Sequence, residues 1–262
     1  MDGLLINTED ILTKSHNTIL ARYSAGPMSW TIKGQLQGRP LQEAIRLLLT
    51  WANLTDVVTP AEYTNQLHAL QELEFPHAKA LPGVEKLLRD LRRAKSGDGG
   101  DLHIALATSS DTHRFEIKTR HLEDLFMNFA QERRVLGDDV KIPKGRGKPW
   151  PEIYLLALKS INDGLEHGEE VIKPEECLVF EDAVPGVVAG RRAGMRVIWV
   201  PHPELSIEYH GREAEVLAGL GERCVDEPGR IGDGYGEQLT SLANFPYSRY
   251  GIVVSNENQK IR

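Results

Sequence analysis

Four short stretches carry residue types that could handle an anion or a metal ion. "CLVFEDAVPG" sets two carboxylates, Glu181 and Asp182, directly after an apolar run. Paired hard oxygen ligands suit Mg2+, which favours carboxylates and keeps waters for substrate oxygens. Solvated charges at the end of a strand are an equally good local reading. "ALATSS" ends another apolar run in Thr108, Ser109 and Ser110. A hydroxyl there, beside backbone N–H groups opening a helix, makes an anion site, with phosphate the common occupant. Plain helix capping by Thr108 or Ser109 is the competing use. Lys148 stands before two prolines in "KGRGKPWPEIY", either as a surface charge or aimed at a phosphate. A phosphate-binding P-loop is excluded there, because Ile142 replaces its first Gly and Pro149 follows the Lys. Finally, "MDGLLINTE" opens the sequence with Asp2-Gly3, an acidic turn of the kind that follows a buried strand, yet no strand precedes it.

The elements that must position these residues follow from periodicity. "SHNTILARY", "LQEAIRLLLTWA" and "TPAEYTNQLHALQEL" repeat apolar residues at helical spacing, and Thr59-Pro60 predicts an N-cap with Pro in the first turn. "LPGVEKLLRDLRRA" predicts another helix, with "KSGDGGD" a loop after it. "LHIALATSS" has a buried-strand pattern, followed by the helical "DTHRFEIKTRHLEDL". "CLVFEDAVPGVVAGRRAGMRVIWVP" is strand, acidic loop, helix, Gly turn and strand. Alternating strand and helix implies a mostly parallel sheet covered on both faces, with ligands at the carboxyl ends of its strands. Beyond residue 203 the Gly-rich 221–238 predicts loop, "LTSLANF" a short helix, and "YGIVVS" a terminal strand or tail.

The composition narrows the class. The 262 residues are 40% hydrophobic and 26% charged, as expected of a soluble globular protein. A net charge of −7 argues against a nucleic-acid partner. Cys177 and Cys224 form no metal or disulfide spacing, so two free thiols in a reducing compartment are expected. No apolar run suits a membrane span and no secretory signal is present, which predicts a cytoplasmic protein. The His residues show no zinc spacing, no nucleophile elbow occurs, and Trp30 and Trp51 are expected in the core.

Taken in order, an Asp-Gly turn, Thr at a strand end, Lys before a helix and Glu-Asp at another strand end resemble the haloacid dehalogenase-like superfamily. The resemblance covers most of the chain and is most specific in "CLVFEDAVPGVVAGRRAGMRVIWVP". "LQGRPLQEA", "ALATSSDTHRFEIKTRHLEDLF" and "LGDD" are most similar to the pseudouridine-5'-phosphatase branch of sugar-phosphate phosphatases. It implies an α/β fold: a three-layer Rossmann-like core, residues 1–12 and 79–262, with a helical cap inserted at 13–78. The implied activity is Mg2+-dependent hydrolysis of small sugar or nucleoside phosphates through an aspartyl-phosphate. Asp2 matches the acid–base Asp of the family's Asp-x-Asp-Gly motif. Thr108 and the amides of Ser109 and Ser110 would hold the phosphoryl group, and Lys148 would neutralise its charge. Asp182, Glu181 and the Asp2 carbonyl would bind Mg2+. Substrate choice would lie in the cap, near Gly38 and Arg39.

One departure follows from the same match. Met1 falls on the x of Asp-x-Asp-Gly, so the nucleophilic Asp would precede the sequence, as would the strand carrying it. The expectations are therefore a truncated first motif, weakened Mg2+ binding, little turnover and a frayed Asp2. A gap in the sheet would close by collapse, by self-association, or by "YGIVVS" acting as a replacement strand. A truncated isoform that binds phosphorylated ligands without turnover, or a β-phosphoglucomutase-like mutase, are the alternatives.

Overall fold

The computed structural model describes residues 1–37, 39–220 and 228–255. Four helices come first: α1 (Glu9–Arg22), α2 (Trp30–Leu36), α3 (Leu41–Trp51) and α4 (Pro60–Glu74). The Thr59-Pro60 signal holds: the Thr59 hydroxyl accepts from the Glu62 amide, and the Glu62 carboxylate accepts from the Thr59 amide, closing a capping box. On α3, Ala44, Ile45, Leu48 and Leu49 fall on one buried face. With Ile19, Leu20, Tyr63 and Leu67 they form an apolar cluster of their own. Each fully buried aliphatic side chain contributes roughly 1.5–3 kcal/mol. Trp51 is not in this core; it is exposed, while Trp30 is half-buried and stacks on His202 with centroids 4.3 Å apart.

Alternating helices and strands follow. Helix α5 (Val84–Leu91) buries Val84, Leu87, Leu88 and Leu91, and then gives way to β1 (Ala94–Ser96). Next come β2 (Leu106–Ala107), α6 (Thr112–Thr119), α7 (Glu123–Phe126), β3 (Arg134–Val135) and α8 (Glu152–Asn162). The remainder is β4 (Leu178–Glu181), α9 (Val184–Arg192), β5 (Arg196–Trp199), α10 (Pro203–Glu208), α11 (Glu213–Leu217), β6 (Gly236–Gln238) and β7 (Ile252–Val254). Strands β4, β5 and β6 form a parallel sheet in that order, with Val179 opposite Val197 and Ile198 opposite Glu237. Strands β2 and β3 form a second parallel pair, with Ala107 opposite Val135.

Strand alternation divides the core into layers. Val179, Val197 and Trp199 face one cluster with α8, α9 and α11. Phe180 and Ile198, one residue out of phase, face the other with α5 and the N-terminal residues. A period of two thus covers the sheet on both faces, the expected three-layer α/β arrangement.

Several local expectations are corrected. Only Leu106–Ala107 of "LHIALA" joins a ladder, because among the described residues no ladder links β2 to β4. "YGIVVS" does contain a strand, but β7 runs antiparallel to β1, with Ala94 opposite Val254, so it does not replace a central strand. That pairing also explains why 94–96 is extended rather than helical or loop. "LTSLANF" is not a helix: the Ser241 hydroxyl accepts from the Ala243 amide, Asn244 has a φ of +57°, and Leu242 and Phe245 are drawn into the core. Residues 221–227, with Cys224, lie outside the described residues. No described helix is long and apolar enough to cross a membrane.

Candidate active site at the strand ends

The N-terminal turn is anchored, not frayed. Met1 is 6% exposed, and its carbonyl accepts from the amides of Leu5 at 2.8 Å and Ile6 at 3.3 Å. Leu4, Leu5 and Ile6 enter the same apolar cluster as Leu106 and Phe180. The Asn7 amide donates to the Lys79 carbonyl at 2.8 Å and the Leu81 amide to the Leu5 carbonyl at 2.9 Å, so burial and these bonds together fix the turn. Gly3 completes it with a φ of +65°, donating to the Ile6 carbonyl at 3.0 Å. A Cβ at Gly3 would stand 2.2 Å from Asp182 Oδ2, so this residue also permits the close approach of two acidic segments.

Asp2 is therefore held firmly. Its Oδ1 accepts from Thr8 Oγ1 and pairs with Lys118 Nζ, each at 2.8 Å, and its Oδ2 accepts from Ser110 Oγ at 2.8 Å. Burial pushes the Asp2 carboxyl up, but the Lys118 ammonium and the bonds from Lys118 and Thr8 outweigh it. The net result lies well below the usual carboxylate range.

At the end of β4, Glu181 is buried, pairs with Lys148 Nζ and accepts from the Tyr154 hydroxyl. Lys148 also donates to the Ala107 carbonyl at 3.5 Å, linking the ends of β2 and β4. Room for Glu181 comes from Gly186, where a Cβ would meet the carboxylate at 2.0 Å. Tyr154 is pushed well above its ordinary pKa by burial and by Glu181, so it stays a donor. A third pair lies alongside: Glu9 with Lys33 Nζ at 2.8 Å, the ammonium also reaching Thr13 Oγ1 and the Trp30 ring.

Asp182 differs from these three. Among the described residues its carboxylate has no ion pair or hydrogen bond, although Trp199 Nε1 donates to its backbone carbonyl at 2.9 Å. Burial, then Glu181, then Glu9 raise its carboxyl well above the usual range. The Met1 α-amino group lies in the same field, and burial, then Lys148, lower its affinity for a proton. The side chains of Asp2, Glu181 and Asp182 do not converge on one point: no described group of three His, Cys, Asp or Glu is placed to hold a metal. Two of the buried carboxylates have turned to their own lysines instead, as like charges in low dielectric must.

The hydroxyl segment differs from expectation in one respect. Thr108 is buried at the strand end, and its Oγ1 accepts from the Ser110 amide at 3.2 Å. Ser110 is thereby committed to Thr108 and Asp2, while Ser109 is exposed and its amide makes no hydrogen bond among the described residues. Thr108 and Ser109 are what this loop offers to an anion. Arg39 is bound to Glu43 and to the Gln35 carbonyl, away from these groups' contacts, and Gly38 lies outside the described residues.

Glu9, Lys33, Lys118 and Tyr154 belong to this neighbourhood, although the sequence reading gave them no role. Only register marks Lys118: on α6 the buried residues are Phe115, Lys118 and Thr119, which puts a lysine on the apolar face.

The haloacid dehalogenase-like hydrolase family profile matches residues 1–194. The chain is 42% identical over 252 residues to a probable pseudouridine-5'-phosphatase of Saccharomyces cerevisiae, covering 96% of this chain and 94% of that one. It is 34% identical over 220 residues to a (DL)-glycerol-3-phosphatase of Arabidopsis thaliana, covering 84% of this chain and 68% of that one. A crystal structure of a haloacid dehalogenase-like protein from Agrobacterium tumefaciens superposes with a TM-score of 0.63 at 19% identity, covering 95% and 94% of the two chains. At that identity the last likeness speaks for the fold alone.

Proposed function

The chain belongs to the haloacid dehalogenase-like hydrolase family, and from that premise we propose that it is a Mg2+-dependent phosphatase of small sugar or nucleoside monophosphates. The observation that carries the reading is the meeting of Asp2, Thr108, Lys148 and unpaired Asp182 at the ends of β2 and β4. The relatives named as pseudouridine-5'- and glycerol-3-phosphatases support the substrate class.

Asp2, oriented by Thr8, Ser110 and Lys118, is the acid–base group for the leaving alcohol and the attacking water. Thr108 Oγ1 and the Ser109 amide hold the phosphoryl oxygens, and Lys148 balances their charge. Asp182 fits a Mg2+ ligand, being a hard oxygen donor that is buried, unpaired and repelled by Glu181 and Glu9. Glu181 and the Asp2 carbonyl would complete the protein's share, and the ion would offset the substrate's negative charge. Residues 13–78 act as the cap over this site, with Trp30 on His202 and the Arg114–His68 bond, 2.7 Å, among its contacts to the core.

In the Asp-x-Asp-Gly order the attacking carboxylate belongs immediately before Met1. The test is p-nitrophenyl phosphate hydrolysis with Mg2+, comparing the sequence as it stands with one carrying an aspartate and an apolar strand before Met1. Turnover by the extended chain alone, abolished by Asp182→Asn, is the expected result. Equal turnover by both chains would refute the role given to the preceding carboxylate, and no turnover by either would refute the phosphatase reading.

A further inference from the structure

Lys118 is a buried ammonium that meets neither substrate nor metal in the reading above, and its environment is specific. It is 5% exposed on α6, and its Nζ meets Asp2 Oδ1 at 2.8 Å, Ser110 Oγ at 2.9 Å, and the Phe75 ring with its centroid at 4.5 Å. Ser110 passes the contact on, because its hydroxyl, which accepts from Lys118, donates to the other oxygen of Asp2. Lys118 thus reaches both carboxylate oxygens, one directly and one through Ser110. Thr8 adds a third bond from the start of α1.

Three bonds from three segments leave the carboxylate plane no rotation. A single ion pair would leave the χ2 of Asp2 free, since torsions onto a planar carboxyl are broad. A lysine buried without such partners is strongly unfavourable, which separates this arrangement from a packing choice. Phe75, at the end of the helical segment, closes the remaining side of the ammonium and ties its position to the helices that would cover a substrate.

We propose that Lys118 is a positioning residue for the acid–base step: through Asp2 and Ser110 it fixes the direction in which the Asp2 carboxylate meets the leaving-group oxygen. This rests on the phosphatase reading and adds to it a determinant to which the sequence resemblance assigned no role. Loss of the ammonium lets the carboxylate turn, and a misdirection on the order of 1 Å at a reacting group costs about 100-fold in rate. Substrate capture by Thr108, Ser109 and Lys148 does not involve Lys118, so the loss falls on kcat rather than KM.

The experiment uses the full chain extended by the preceding aspartate and strand, with p-nitrophenyl phosphate and Mg2+. Lys118→Met is expected to lower kcat by about 100-fold with KM nearly unchanged. Lys118→Arg, which retains the charge and donors, is expected to restore about a tenth or more of wild-type kcat. In an Asp2→Asn background, Lys118→Met is expected to cost almost nothing further, because the group it orients is gone. A loss carried by KM, an arginine variant as slow as the methionine one, or a full additional loss in the Asp2→Asn background would each overturn the proposal. If the extended wild-type chain has no activity, the phosphatase reading falls on its own. Positioning is then decided by the carbon-13 carboxyl resonance of Asp2 in the same chains. A shifted and broadened signal in Lys118→Met, restored in Lys118→Arg, supports it, and an unchanged signal overturns it.

Discussion

Replacing Gly3 by alanine would test the geometry of the acidic turn at its tightest point. The backbone there has a φ of +65°, which costs an L-residue about 1–2 kcal/mol. The new Cβ would lie 2.2 Å from Asp182 Oδ2 and 2.9 Å from Glu9 Cγ. Ordinary contact begins at 3.4 Å, so the Asp182 carboxylate must retreat from 2.2 to 3.4 Å, or the turn must move instead. Either shift displaces a group assigned to Mg2+, the Asp182 carboxylate or the Asp2 carbonyl, and losses of up to about 100-fold in metal affinity follow even from less direct perturbations. Urea unfolding with and without Mg2+ separates the two effects. Without Mg2+, Gly3→Ala should unfold about 1–2 kcal/mol more easily than wild type. With Mg2+ at 100 times its wild-type dissociation constant, wild type should gain about 2.7 kcal/mol, and a 100-fold weaker site only about 0.4 kcal/mol. Wild-type stability without Mg2+ would refute the strained turn. An undiminished gain with Mg2+ would refute the placement of Asp182 at the metal.

Two further outcomes are expected. His16 lies against the Tyr63 hydroxyl at 3.0 Å, and burial, then Lys33, lower its pKa from 6.5 to about 4. The unfolded chain therefore takes up this proton first as pH falls: the stabilisation is complete above pH 6.5 and is lost between 6.5 and 4, by up to about 3 kcal/mol. His16→Gln should flatten that segment of a stability–pH profile from urea titrations, and an unchanged slope would count against the buried neutral imidazole. Phe245 is 4% exposed and packs on Phe180 and Tyr250 with centroids 5.3 and 5.1 Å away. Phe245→Ala should cost about 3–5 kcal/mol by calorimetry or urea unfolding, and a loss below about 1 kcal/mol would show that the C-terminal segment is not part of the core.

The legible parts of the sequence were those written in local pattern. Thr59-Pro60 announced its capping box, and the "CLVFEDAVPGVVAGRRAGMRVIWVP" block announced β4, α9 and β5, because caps and apolar periods act within a few residues. "LTSLANF" misled for a related reason: its apolar spacing suits a helix, but Ser241 and Asn244 offer a turn that docks Leu242 and Phe245. The strand of "YGIVVS" was legible, while its partner was not, since β1 lies about 160 residues away and pairing depends on where both ends are carried.

By itself the sequence determined the family, the alternating α/β order and the chemistry-bearing residues Asp2, Thr108, Lys148, Glu181 and Asp182, because motifs record residue type and spacing. Tertiary structure alone decided how their charges are matched. It gave Asp2 to Lys118, Glu181 to Lys148 and Glu9 to Lys33, and it left Asp182 without a cation among the described residues. It also decided that the N-terminal turn is anchored, through burial of Met1, Leu4, Leu5 and Ile6. Charge pairing in a desolvated site depends on distances of a few ångströms between segments remote in the chain, and no spacing within the sequence encodes those distances.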